Sequence, residues 1–247
     1  RMAELFAEAG VETPAVLTEG AEVYRATGQT LEVRHAGGAY HPVSLPAGVM
    51  RFHMTRRTLT PILANDAASL FALDGDLRLV EFHSKANALT DESMQIVAAA
   101  AEDHGAGIII HNDAQHFSAG VDLNAFRAYI EAENWDGIDG FLDRFQKAVC
   151  ALKYTPVPVV GAPSGLAAGG GYEVLAHCDR LVVHTNSVMG LVEAGVGVVP
   201  GGGGIKDTFF RWHDAKGSWD DAAWQTWMNI GYGATGSSPQ LSARMMY

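Results

Sequence analysis

Two glutamates stand where acidic side chains are uncommon. Glu173 directly follows Gly169-Gly170-Gly171-Tyr172, and Glu193 is a lone charge between Leu191-Val192 and Ala194-Gly195-Val196. Burial among such neighbours raises a carboxyl pKa and suits the group to proton transfer near neutral pH. Three successive glycines allow a main chain to approach a ligand closely, and the helix expected to start there points its positive end toward the same place. A further segment, His116-Phe117-Ser118-Ala119-Gly120-Val121-Asp122-Leu123, follows an apolar run and turns at Gly120. N–H groups exposed at such a turn can bind an anionic oxygen. Taken singly, each segment also fits a structural reading. Glu173 would then compensate a helix dipole, Glu193 would be a salt-bridged loop carboxylate, and residues 116–123 would be an ordinary strand-to-helix turn.

The elements that must position these residues are legible in outline. Ala68–Leu73 and Leu77–Phe82 flank Asp74-Gly75-Asp76, a hairpin signal. Thr90 with Asp91 and Glu92 marks a helix start ahead of Met94, Ile96 and Val97. Gly107–Ile110 reads as a buried strand, and a helical stretch follows Gly120. A helix over Phe141–Leu152 ends before Pro156, and a second buried strand covers Val157–Val160. A helix runs from Gly169 to Ala176, a third strand over Leu181–Val183, and a glycine-rich loop over Gly190–Gly204 leads into Ile205–Arg211. Strands alternating with helices indicate an α/β fold of repeated ββα or βαβ units. Residues 1–65 differ: an amphipathic helix over Met2–Ala9 precedes turns at Pro14, Gly20 (after Thr18 and Glu19), Gly28, Gly37-Gly38, Pro42 and Pro46, with a short strand near Leu31–Arg34.

Composition narrows the function. The 247 residues are 48% hydrophobic and 18% charged, with 28 glycines, which suits a compact enzyme. A net charge of -11 without a basic stretch argues against nucleic acid. No apolar run reaches membrane-spanning length, and no secretory leader is recognisable, so a cytoplasmic location is expected. Cys150 and Cys178 form no metal spacing, His111 and His116 lack metal-ligand company, and no metal site is expected. Gly204 is followed by Ile205-Lys206 rather than the Lys-Ser/Thr of a phosphate loop, and no dinucleotide fingerprint occurs. Ser164 misses a nucleophile elbow by one position. Trp219, Trp224 and Trp227 read as packing or interface residues.

In this order, Ser-Ala-Gly-x-Asp-Leu at 118–123, Gly-Gly-Gly-x-Glu at 169–173, and Glu193 ahead of Pro200-Gly201-Gly202-Gly203-Gly204 resemble the crotonase (enoyl-CoA hydratase/isomerase) family over roughly residues 68–211. Asn87-Ala88-Leu89 is similar to an early family segment near the CoA chain. The resemblance implies a ClpP-like spiral of ββα units, here with an irregular N-terminal extension, that commonly assembles into trimers. It implies an oxyanion hole formed by the N–H groups of Val121 and Gly170, and Glu173 and Glu193 as the hydratase carboxylates. It places CoA near Asn87, Ala88, Ala119, Gly120 and Gly169. The activity implied is hydration of trans-2-enoyl-CoA in fatty-acid β-oxidation. Enoyl-CoA isomerisation and non-catalytic acyl-CoA binding are its rivals.

The resemblance also frames the whole chain. Residues 66–247 would form the crotonase-like domain, with C-terminal helices cut short soon after Ser238-Pro239-Gln240-Leu241. Residues 1–65 would be a connector or the tail of a preceding domain, and the initial Arg1 suggests a piece of something longer. The sequence resembles the hydratase-like C-terminal part of bacterial 3-hydroxyacyl-CoA dehydrogenases. No cofactor is expected here. The CoA thioester enters as substrate, and NAD would bind only in a preceding domain. The expected partners are a covalently linked dehydrogenase domain or further copies in a trimer-type homo-oligomer.

Overall fold

The computed structural model describes residues 2–14, 17, 22–28, 30–35 and 37–247. The turn expected at Thr18, Glu19 and Gly20 lies outside the described residues. The chain divides into two compact units, Arg1–Leu59 and Thr60–Tyr247.

The first unit contains helix α1 (Met2–Glu8), an antiparallel meander of β1 (Tyr24–Thr27), β2 (Thr30–Arg34) and β3 (Tyr40–Pro42), and a short helix α2 (Phe52–Thr55). The turns expected at Gly28 and Gly38 are present, with φ of 60° and 86°.

The second unit is built on a six-stranded sheet. Its strands are β4 (Leu63–Ala64), β5 (Ala68–Leu73), β6 (Leu77–Phe82), β7 (Gly107–His111), β8 (Val159–Ala162) and β10 (Arg180–Leu181), in the order β10-β8-β7-β6-β5-β4. The hairpin pairs Leu73 with Leu77, and Gly75 and Asp76 turn the chain at φ of 78° and 57°. From β6 onward the pairs are parallel, which requires helical crossovers. The crossovers are α3 (Asp91–Glu102), then α4 (Leu123–Glu131) with α5 (Trp135–Lys153), then α6 (Gly170–Ala176). Thr90 caps α3 through a reciprocal box with Ser93, so the start expected at Thr90 is where the helix begins. Helix α5 buries Phe141, Phe145, Ala148, Val149 and Leu152, one stripe at helical spacing. That stripe joins Ile108, Ile110, Val80, Val97 and Leu175 in the core.

Several boundaries differ from the sequence expectation; the helix expected over Phe141–Leu152, for one, begins six residues earlier at Trp135. Strand β8 begins at Val159 rather than Val157, because Pro158 has no N–H for the ladder; its carbonyl still accepts from Ile108 N at 2.9 Å. Strand β10 ends at Leu181, and Val182 is exposed at the sheet edge. Gly190 belongs to a strand rather than to the glycine loop: β11 (Val188–Gly190) pairs in parallel with β9 (Leu166–Ala168). Helices α7 (Gly204–Lys216), α8 (Trp219–Gly231) and α9 (Pro239–Arg244) follow. Trp224 and Trp227 are exposed and stack on each other at 5.4 Å, and Trp219 stacks on His213 at 3.5 Å. No helix of the described residues is long and apolar enough to cross a membrane.

Candidate active site

The small β9–β11 sheet brings the three chemistry-bearing segments together. Strand β9 bridges Ser118 on one side, with Ser118 N donating to Leu166 O (3.0 Å) and Ala168 N to Ser118 O (3.1 Å). On its other side Ala168 lies opposite Gly190, and Gly169 N donates to Gly190 O at 2.9 Å. Residues 118–121, 168–171 and 190–193 therefore meet at the start of α6.

Each glycine of the triplet faces a neighbour that a side chain would strike. A Cβ on Gly169 would lie 2.9 Å from Glu193 Oε1, one on Gly170 2.8 Å from Val121 Cγ2, and one on Gly171 2.7 Å from Ser118 Cβ. Gly169 also has φ of +52° with ψ of −125°, a sparsely populated conformation that costs an L side chain roughly 1–3 kcal/mol. The Val121 N–H sits 3.5 Å from where a Gly170 Cβ would be. Neither the Val121 nor the Gly170 N–H has a backbone acceptor among the described residues. Gly120, at φ of +97°, makes the turn between Ala119 and Val121 and donates its N–H to Ser118 Oγ at 3.1 Å.

The Asn87-Ala88 turn is bonded directly to this wall. Ala86 and Asn87 adopt φ of 56° and 51°. Asn87 Nδ2 donates to His116 O (2.8 Å), Ser118 Oγ to Asn87 O (2.7 Å), Ala119 N to Ala86 O (3.2 Å) and Leu89 N to Gly120 O (2.8 Å). Ala88 is half-buried and Ala119 exposed. Asn87, Ala88, Ala119 and Gly120 thus form one continuous rim, with Gly169 behind it.

Glu173 lies in the first turn of α6 and is 2% exposed. Its Oε1 accepts the N–H groups of Gly202 (2.8 Å) and Gly204 (2.9 Å). Burial pushes its carboxyl up to about 7, with the Gly204 and Gly202 N–H groups opposing and the charge of Glu193 adding to the rise. Both donors must be glycine: a Cβ on Gly202 would lie 2.6 Å from Glu173 Oε2, and one on Gly204 2.9 Å from Glu173 Cγ. Glu193, in a 3₁₀ turn over Glu193–Val196, is also raised by burial, which the N–H groups of Glu193 and Val192 partly offset. Its Oε2 is buried without a hydrogen-bond partner among the described residues. The arrangement sets two carboxylates of raised pKa beside two unengaged main-chain donors, a combination able to move protons next to a developing oxyanion.

Sequence reasoning missed the parts that hold Glu173. The glycine run was visible, but not that two of its N–H groups serve the carboxylate. Nor did any spacing point to His177 or Asp207, which lie 3.1 Å apart behind Glu173. His111 and His116 have structural partners, Ala162 O at 2.8 Å and Leu166 N at 3.3 Å. A cavity of ≈ 520 Å³ opens on the glycine run itself, lined by Pro200, Gly201, Gly202 and Gly203 together with His177 and Lys206; Glu173 and Glu193 do not line it.

This fold agrees with a family assignment. Residues 79–211 match the family model described as "Enoyl-CoA hydratase/isomerase", and the chain belongs to that family of crotonase-type enzymes. The chain is 30% identical over 254 residues to a provisionally named 3-hydroxyacyl-CoA dehydrogenase of Bacillus subtilis, covering 98% of this chain and 32% of that protein. It is 34% identical over 153 residues to a provisionally named fatty acid oxidation complex trifunctional enzyme of Rickettsia felis, covering 61% of this chain and 21% of that one. The chain thus spans a third or less of these relatives' lengths. An enoyl-CoA hydratase structure from Polaromonas sp. JS666 shares the fold, with a TM-score of 0.63 and 20% identity over 72% of this chain and 68% of that one.

Proposed function

We propose that residues 66–247 carry an enoyl-CoA hydratase site that adds water syn across the double bond of a trans-2-enoyl-CoA in fatty-acid β-oxidation. The observation that carries this reading is the pair of buried carboxylates that meet at Gly169, with Glu193 Oε1 2.9 Å from where a Gly169 Cβ would lie and Glu173 N donating to Gly169 O at 2.9 Å. The N–H groups of Val121 and Gly170 hold the thioester oxygen as electrons move onto it. The water oxygen bonds to the β-carbon, and one of its protons reaches the α-carbon through the carboxylates. Each lost oxyanion donor would cost about 2.7–4 kcal/mol of transition-state stabilisation. The rim of Asn87, Ala88, Ala119 and Gly120, with Gly169, receives the CoA portion. The thioester is the substrate, and no cofactor takes part in this step.

The dehydrogenase name of the Bacillus subtilis relative supports a wider reading. In it, this segment is the hydratase part of a cytoplasmic protein whose NAD-dependent portion, covalently linked, oxidises the 3-hydroxyacyl-CoA product. The family's trimer-type assembly is the other arrangement in view.

Crotonyl-CoA hydration, followed with Glu173→Gln and Glu193→Gln separately, tests the assignment. Each change should lower the rate roughly 10²–10⁴-fold. Hydration at the unaltered rate in both variants would overturn it. Isomerisation that survives one change would favour the isomerase, and crotonyl-CoA bound but unconverted by the unmutated chain would favour a binding module.

A further inference from the structure

One imidazole is packed between the two elements that hold Glu173, an inference that deepens the reading above and rests on it. His177 caps the end of α6 and is 2% exposed. Its Nδ1 lies 2.7 Å from the main-chain carbonyl of Glu173, so the Nδ1–H donates there. Its Nε2 lies 3.1 Å from Asp207 Oδ2, within ion-pair range but outside hydrogen-bond geometry: both atoms are buried without a hydrogen-bond partner among the described residues. Asp207, 4% exposed, stands in the first turn of α7, three residues after the second glycine donor, and its Oδ1 pairs with Lys153 at the end of α5. Gly203, between the donors, has its missing Cβ aimed at the ring, 3.0 Å from His177 Cε1. Helices α5, α6 and α7 and the glycine loop thus converge on this side chain. Burial holds the imidazole below its ordinary pKa; the Glu173 carbonyl and Asp207 act against that, while Lys206 and Lys153 reinforce it.

We infer that His177, seated between the Glu173 carbonyl and Asp207, is a positioning residue that fixes the Gly202 and Gly204 N–H groups on the Glu173 carboxylate. Those two bonds are the forces that stabilise the charged form of Glu173 against its own burial. If the loop moves off the carboxylate, desolvation acts unopposed and the group holds its proton to higher pH. The fold does not depend on His177 alone. Arg211 ties α7 to α6 independently, donating from Nη2 to Ala176 O and from Nη1 to Tyr172 Oη, both at 2.8 Å.

The test compares His177→Ala and His177→Gln in the full chain, since a glutamine amide can still donate to the Glu173 carbonyl. In His177→Ala, kcat for crotonyl-CoA hydration should fall roughly 10- to 100-fold with KM little changed, the scale of a 1 Å misplacement. The acidic limb of its pH profile should move to higher pH, and His177→Gln should recover most of the loss. An unchanged kcat and acidic limb in His177→Ala, or a glutamine variant no better than alanine, would overturn the inference. Failure of the underlying reading is visible separately, as Glu173→Gln hydrating at the unaltered rate. In that event the amide resonances of Gly202 and Gly204 still decide. They should titrate with Glu173 in the unmutated chain and lose exchange protection in His177→Ala; unaltered protection would sink the positioning role.

Discussion

Gly169 donates its N–H to the carbonyl of Gly190 at 2.9 Å, and this bond sets the distance between the two acidic residues. Gly169 begins the run that leads to Glu173, and Gly190 ends the strand that leads to Glu193. The pairing of Ala168 with Gly190 therefore fixes where both carboxylates enter the same space. A slip of one residue would turn the faces of β11 over and carry Glu193 away from Gly169.

The buried acid of α6 gives a pH signature. The folded-state pKa of Glu173, about 7, lies above its ordinary 4.5, so the folded chain binds this proton more tightly than the unfolded chain does. The stability contributed by the protonated group is complete below pH 4.5 and is lost as pH rises to about 7. Glu173→Gln cannot ionise, and its amide oxygen can still accept from Gly202 and Gly204. Thermal unfolding should therefore show the variant more stable than the parent by roughly 3 kcal/mol at pH 8, with little difference at pH 4. Curves that stay parallel across this range would contradict the raised pKa.

Gly169→Ala should separate site from fold. The change strains a φ of +52° and drives a methyl against the Glu193 carboxylate. Strain of this kind costs about 1–3 kcal/mol, below the stability of a typical domain. We expect a variant that folds, with its unfolding midpoint in denaturant slightly lowered, and that hydrates crotonyl-CoA roughly 100-fold more slowly. Hydration at the parent rate would mean that Glu193 is not needed where it stands.

Asn112 supports the same wall from beneath. It is 1% exposed, accepts the N–H of Phe82 at 2.6 Å through Oδ1, and donates through Nδ2 to Phe117 O. It thereby ties the end of β6 to the turn that carries Val121. Asn112→Ala leaves a buried donor and a buried acceptor unpaired, at a cost of roughly 2–4 kcal/mol. Urea unfolding would register this as a lower midpoint; a midpoint within error of the parent would show that water or a neighbour replaces both bonds.

The parts of this molecule that were legible in the sequence are those governed locally. Asp74-Gly75-Asp76 announces a hairpin because two positive φ angles are needed there, and Thr90 announces a helix because a hydroxyl must cap its first turn. The gathering of the three segments was legible only through family resemblance. Strands β9 and β11 are three residues each, Leu-Ala-Ala and Val-Met-Gly, too short to show alternation. They exist because they pair with each other and with Ser118, a non-local fact. Nothing local in the sequence marks His177, since its surroundings include Asp207, thirty positions away and 3.1 Å distant.

The wall of the proposed site is largely peptide rather than side chain: the N–H groups of Val121 and Gly170, with those of Gly202 and Gly204 holding Glu173. Alanine scanning cannot delete an N–H, so Val121→Ala would leave its donor intact and report only the lost methyls. Within this site the same scan would be loudest at Gly169, Gly170, Gly171, Gly202 and Gly204, where alanine adds atoms to filled space. A mutational map of this chain should therefore show intolerance concentrated at residues with no side chain, and the donors themselves would answer only to ester substitution of the backbone.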